Sequence, residues 1–349
     1  MNRSNAVANW LFLGCFLVLV QILIGGITRL TDSGLSITEW EVVKGTLPPL
    51  NESEWIVAFE KYKSIAKKQY ESIHNTMDLS AFKKIYFWEY FHRLWARMMG
   101  FVFILPFLYF LNRKRIPSNL LKRLGIVIFL ASLAGIFGWI MVASGLNNDK
   151  RTWVNAYNLL IHLIIATTLF CYLVYTYYNY AWYDFKSKIE LNGLKLYRWL
   201  GIFLFIQIGF GAIMAGMKAG LVLPYPSLIP KFSMISQMIG DAPAFNWTAF
   251  IDYEPNPFIK ILVQIIHRIT AYLIAVLALF FYLKNRDLAT ISKSLKVFSC
   301  LLLTQILLGI FTVSFSIGKI PLVYGVAHQG TAFILLASYL WILFRSKST

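Results

Sequence analysis

The chain has 349 residues, 58% hydrophobic and 14% charged, with 33 Lys and Arg against 16 Asp and Glu. A soluble domain carries about a quarter charged residues. The apolar residues here run in stretches near the roughly 20 residues that cross a bilayer core as helix, which excludes a soluble globular fold. The net charge of +17 does not point to nucleic acid, because the Lys and Arg residues gather at the ends of these stretches on one side.

Helices and closed barrels are the backbones that satisfy their own hydrogen bonds in lipid. The runs are too long for barrel strands, so the sequence predicts an all-α integral membrane protein. Eight transmembrane helices are predicted, at Trp10–Leu30, Tyr86–Leu111, Leu124–Leu146, Val154–Tyr180, Leu196–Gly216, Phe258–Leu283, Val297–Phe315 and Leu322–Leu343. The lead MNRSNAVANW has none of the character of a transit peptide, and the first run reads as an uncleaved anchor. Arg3, the Arg113-Lys114-Arg115 cluster, Lys186, Lys284, Arg286, Arg345 and Lys347 share one side. Short basic loops stay inside, which predicts a bacterial inner membrane protein with both termini cytoplasmic. The opposite side carries a long segment, 31–85, in which Trp55, Phe59 and Tyr62 fall at helical spacing, and a second at 217–257. His74, in the first of these, reads as a solvated loop residue. Cys15, Cys171 and Cys300 all lie within apolar runs and read as inert packing.

The chain repeats internally. Glu89-Tyr90-Phe91-His92-Arg93 in the second span answers Gln264-Ile265-Ile266-His267-Arg268 in the sixth, and His162 with Ala166 in the fourth answers His328 with Ala332 in the eighth. Gln21, Gln207 and Gln305 are each followed one turn later by a glycine, at Gly25, Gly211 and Gly309. The reading is two tandem four-helix bundles, 1–180 and 196–349, in one orientation.

Four of the five histidines lie inside spans, where ionisable groups mark function by default, at depths that agree to within roughly 5 Å. Two imidazoles per bundle, with few carboxylates and no thiolates, suit haem iron and its two axial ligands better than zinc or copper. The plain alternative is hydrogen bonding between helices. Arg29, Arg93, Arg97 and Arg268 are candidates to pair with haem propionates. The halves differ at Glu89 and Gln264. A carboxyl group beside a haem in apolar surroundings can exchange protons or stabilise developing positive charge, and an amide can do neither. Glu89 therefore marks the first half as the reactive one.

These residues resemble a family. The stretch from Gly25 to Ser36, Trp40, Gly45, Pro48-Pro49, Phe82-Lys83, Glu89 to Arg93, Gly138 to Val142, Ser144-Gly145-Leu146, Ala215-Gly216, Ala219-Gly220, Gln264 to Arg268 and His328-Gln329 are similar to the haem A synthases. The matches span nearly the whole chain in order. The resemblance implies an enzyme that oxidises the ring methyl of haem O to the formyl group of haem A, with haem b as electron relay. It implies substrate-haem ligands at His92 and His162, a catalytic carboxylate at Glu89, and haem b ligands at His267 and His328. Haem O synthase and terminal oxidase assembly factors follow as partners beside the lipid bilayer, and a homo-oligomer is compatible with the pattern; no nucleic acid is expected. Some members carry a cysteine pair in the first outer loop. This chain has no cysteine between Thr31 and Ile85, like the subgroup of proteobacterial and mitochondrial members. Ala134 stands where members often have Gln, and Pro224-Tyr225-Pro226 replaces a polar run. A two-haem electron-transfer cytochrome is the alternative; a haem transporter fits less well, for want of polar residues deep in the inner half.

Overall fold

The computed structural model describes residues 4–39, 44–146, 151–223, 236 and 247–347. Arg3, Trp40 and Pro224-Tyr225-Pro226 lie outside the described residues.

Apolar runs become helices because lipid offers the backbone no other partner. In chain order these are α1 (Asn5–Leu30), α2 (Glu52–Ile65), α3 (Lys67–Ile73), α4 (Leu79–Asn112), α5 (Ser118–Leu146), α6 (Ala156–Ala181), α7 (Leu194–Gly216), the single turn α8 (Thr248–Ile251), α9 (Pro257–Asn285), α10 (Ala289–Ser314) and α11 (Leu322–Arg345). Among the described residues, eight are long and apolar enough to span a membrane: α1, α4, α5, α6, α7, α9, α10 and α11. The chain is a multi-pass, all-α membrane protein. Most of its helices overrun the predicted spans at one end or both, since hydropathy marks the lipid-facing stretch and caps decide the ends. α4 starts at Leu79, where Asp78 accepts from Ala81 N at 2.7 Å; α9 starts behind Asn256, which accepts from Phe258 N at 3.0 Å. Threonines inside the spans return their hydroxyls to the carbonyl one turn back, as Thr167 does to Leu163 and Thr312 to Leu308, which leaves no donor open to lipid.

The chain forms two compact units, one of Asn9–Phe170 and one of Cys171–Thr349 with Met1–Ala8. The division runs through α6, not through the polar segment 181–195.

Within the first unit, α1 and α4 are stitched by Trp10 Nε1 to Val102 O, Trp95 Nε1 to Leu17 O and Thr28 Oγ1 to Trp88 O. Described residues of the segment 31–85 build a small core outside the predicted spans. The predicted helical spacing holds: α2 turns Phe59 and Tyr62 inward against Phe82, with Leu35, Trp153 and Val154 closing the cluster. Complete burial of an aromatic such as Phe82 contributes about 2–3 kcal/mol.

His74 corrects the reading above. It is half-buried at the end of α3, and its Nδ1 lies 2.6 Å from Tyr62 Oη, which donates to Gln69 Oε1 at 3.0 Å; Gln69 Nε2 in turn donates to the Asp32 carbonyl. Tyr62 is buried, and a buried polar group needs partners. His74 supplies one of them.

Within the second unit, Tyr197 stacks between Phe281 and Tyr339 at 4.4 and 4.6 Å and donates to the Tyr339 carbonyl. Asn285 ties the chain before α7 through both directions of its contact with Asn192. The cysteines are free, with Cys15 buried and Cys300 exposed.

Candidate functional site

Each in-span histidine belongs to a pair of spans built to one pattern. The first helix of the pair carries a glycine that faces the imidazole carried by the second. A Cβ on Gly25 of α1 would stand 3.0 Å from His92 Cε1 of α4, and one on Gly138 of α5 would stand 3.1 Å from His162 Cε1 of α6. In the second unit the figures are 3.5 Å for Gly211 of α7 against His267 of α9, and 2.9 Å for Gly309 of α10 against His328 of α11. A Cβ would press on the imidazole at Gly25, Gly138 and Gly309, whereas at Gly211 it would meet the ring at ordinary contact.

One turn before each glycine stands a second contact. Gln21 Nε2 donates to the His92 carbonyl at 3.2 Å and lies 3.1 Å from its Nε2. Gln207 Nε2 donates to the His267 carbonyl at 2.9 Å. His162 Nδ1 lies 3.0 Å from the Ala134 carbonyl, and His328 Nδ1 lies 3.1 Å from the Gln305 carbonyl. A carbonyl only accepts, so Nδ1 carries the hydrogen in these last two and Nε2 keeps its lone pair. This is the usual way a protein fixes an imidazole as a metal ligand. The sequence showed three of these Gln–Gly steps. It named Ala134 and Gly138 only through the resemblance and missed their contact with His162, because at Ala134 the backbone carbonyl makes it and residue type gives no sign of it.

The donor set fits haem. In the second unit the His267 and His328 rings are 6.5 Å apart at 67°, a spacing that leaves room for one metal atom bound at about 2 Å by each nitrogen. In the first unit His92 and His162 lie within electrostatic reach of each other. Among the described residues there is no cluster of three or more His, Cys, Asp or Glu. Pairs of imidazoles, one in each pair held by a backbone carbonyl, suit an ion that already has its equatorial ligands.

Glu89 is placed otherwise than the apolar setting expected for it. It is buried, with 3% of its surface exposed, yet enclosed by donors. Its Oε1 pairs with Arg93 at 2.5 Å, and its Oε2 accepts from Ser36 Oγ at 2.8 Å and Ile37 N at 2.9 Å. Arg93 also donates to the carbonyls of Ile37 and Glu39. The pair thus clamps the segment that follows α1. In the second unit, Gln264 Nε2 and Arg268 Nη2 both donate to the Leu223 carbonyl in the segment that follows α7. The sequence showed Ser36 only within the resemblance and Ile37 not at all, since their role depends on how the loop folds back.

Of the four arginines, Arg93 and Arg97 line one cavity of about 440 Å³, together with Lys61, Glu54 and Tyr86. Arg29, in the last turn of α1, lies within electrostatic reach of Asp32. Arg268 is half-buried beside Leu223.

The sequence profile of the COX15-CtaA family, described as cytochrome oxidase assembly protein, matches residues 8–340. The chain belongs to the COX15-CtaA family. Similar proteins include one named heme A synthase from Wolbachia pipientis subsp. Culex pipiens, 38% identical over 343 residues that cover 98% of each chain. Another of that name, from Flavobacterium psychrophilum, is 36% identical with 99% of each chain covered. A third, from Flavobacterium johnsoniae, is 34% identical over 99% of each. Full-length alignment sets all eight spans and the first outer segment within this family.

Proposed function

We propose that this protein is a haem A synthase, oxidising the ring methyl of haem O to the formyl group of haem A. The first unit receives haem O between His92 and His162, and the second holds haem b between His267 and His328. The observation that carries the reading is the twofold occurrence of two matched imidazoles, each set by a facing glycine and a contact one turn away, in a chain whose full-length relatives are named heme A synthase. Haem b, held by His267 and His328, would supply a one-electron relay. His92 and His162 fix the substrate ring. Glu89, one helical turn before His92, places a carboxylate beside it, where negative charge stabilises positive charge developing on the ring or takes up a proton from the methyl carbon. Oxidation of the methyl group with water as the oxygen source releases four electrons and four protons in all, through the hydroxymethyl and the hydrated aldehyde, which loses one water to give the formyl group. The electrons would leave one at a time through haem b to an external electron acceptor. Arg97, and the part of Arg93 that faces the cavity, suit the propionates. The basic loops support a bacterial inner membrane address with both termini inside.

A second reading, a two-haem electron-transfer cytochrome, has one observation in its favour: Glu89 docks a loop much as Gln264 does. Co-expression with a source of haem O, followed by pigment extraction and mass analysis, separates the two. Haem A in the extract supports the synthase; haem b alone, with haem O present, supports the cytochrome.

A further inference from the structure

The halves repeat more than their histidines. The segments that follow α1 and α7 share a backbone form: Asp32 and Lys218, at the same spacing after Gly25 and Gly211, both turn left-handed, with φ 53° and 50°. A little further on, Arg93 donates to the Ile37 carbonyl and Arg268 to the Leu223 carbonyl. Ile85 of α4 and Lys260 of α9 match in the same way, each about two turns before the histidine of its helix.

Charge at these matched positions shifts mostly one way. The first unit sets Arg29 within electrostatic reach of Asp32 and pairs Arg93 with Glu89. The second has Lys218 for Asp32, Gln264 for Glu89 and Lys260 for Ile85, and only Ala215, in place of Arg29, runs the other way. Lys218 and Lys260 are both half-buried and within electrostatic reach of each other. Lys260 Nζ donates to the Glu254 carbonyl at 2.7 Å, with the Glu254 carboxylate also in reach. Like charges held together away from bulk water repel, and an anion set against both relieves the cost.

The same face of α9 carries Lys260, Gln264, His267 and Arg268, at helical spacing. Lys260 therefore stands on the imidazole's side, about 10 Å nearer the start of the helix. A haem on His267 has two carboxylates on one edge, and a lysine side chain covers the remaining distance. We propose that Lys218 and Lys260 bind the propionates of the haem held by His267 and His328. The first unit, with Asp32 and Ile85 at those places, takes its substrate without this cap, which suits a group that must leave after each cycle. The inference rests on the placing of haem b in the second unit.

The test uses full-length His92→Ala protein, so that only the second site is open, freed of haem and titrated optically. The two probes are haem b and haem b dimethyl ester, whose propionates carry no charge. Lys218→Asp and Lys260→Ile bring the first unit's own residues to the second. Each should weaken haem b about tenfold, the scale of one charge-assisted hydrogen bond, and leave the ester's affinity unchanged. Lys260→Arg should bind haem b as the parent does. Equal weakening toward haem b and the ester would reduce the lysines to supports of the fold and overturn the anchor. Undiminished haem b binding in both variants would overturn it too. Should one variant fail to fold, the other and the parent's preference for haem b over the ester still decide. A parent that takes up no haem b overturns the second-unit assignment itself, whereas one that binds haem b and the ester equally keeps that assignment and overturns only the anchor.

Discussion

Gly309 and His328 are packed so closely that a Cβ on Gly309 would stand 2.9 Å from the imidazole Cε1, whereas the corresponding distance from Gly211 to His267 is 3.5 Å. The first is shorter than side chains tolerate, and the second is ordinary contact. Gly309→Ala must therefore push the His328 ring away from its position, with a strain of about 1–3 kcal/mol. The expected outcome is reduced haem per protein and a changed low-spin haem signal in Gly309→Ala, with Gly211→Ala close to wild type. Equal effects from the two would separate haem binding from this packing.

The histidine pairs lie in separate units, and their losses should be separable. On the proposed assignment, His328→Ala should strip haem b from the second unit. His92→Ala should retain it and fail to take up haem O. Extracted haem, measured per mole of each purified variant, checks both.

Glu89 has two duties to disentangle. Glu89→Gln keeps an acceptor for Ser36 or Ile37 but removes the ion pair with Arg93, which retains the Ile37 and Glu39 carbonyls. A stability loss of about 1–3 kcal/mol is expected, together with at least a hundredfold fall in haem A formation if the carboxylate acts in the chemistry. Thermal denaturation and mass analysis of extracted pigment read the two effects separately. A variant that is less stable yet makes haem A at the wild-type rate would confine Glu89 to loop docking.

Tyr62 gives the outer segment its own response to alkali. Burial pushes its phenol well above the ordinary tyrosine value, and negative charge on Asp32 and Glu89 adds to the effect. The unfolded segment loses this proton near pH 10 while the folded one keeps it, so folding stability falls as pH rises past 10. The slope is at most about 1.4 kcal/mol per pH unit for one group. Tyr62→Phe should cost about 1–2 kcal/mol at neutral pH, by removing the phenol that Gln69 and His74 bond to, and should flatten the alkaline decline. Hydrogen exchange of α2 and α3 between pH 8 and 11 tests the cost and the slope.

Sequence alone determined the eight spans, the repeat of Glu89 to Arg93 in Gln264 to Arg268, and the four histidines. Hydrophobic run length and the penalty for an ionisable group in lipid act locally and show in residue types. It also determined the helix in the outer segment, because Phe59 and Tyr62 follow helical period. Only the tertiary structure decided what surrounds these groups. The cage around Glu89 is built from Ser36 and Ile37, some fifty residues away, and was invisible because a backbone N–H has no residue signature. One partner of His74 is Tyr62, brought near by the turn between α2 and α3. Ala134 looked like a missing glutamine until its carbonyl was found holding His162. Periodicity tells which face of a helix is apolar, but the partner of each polar atom depends on how helices pack.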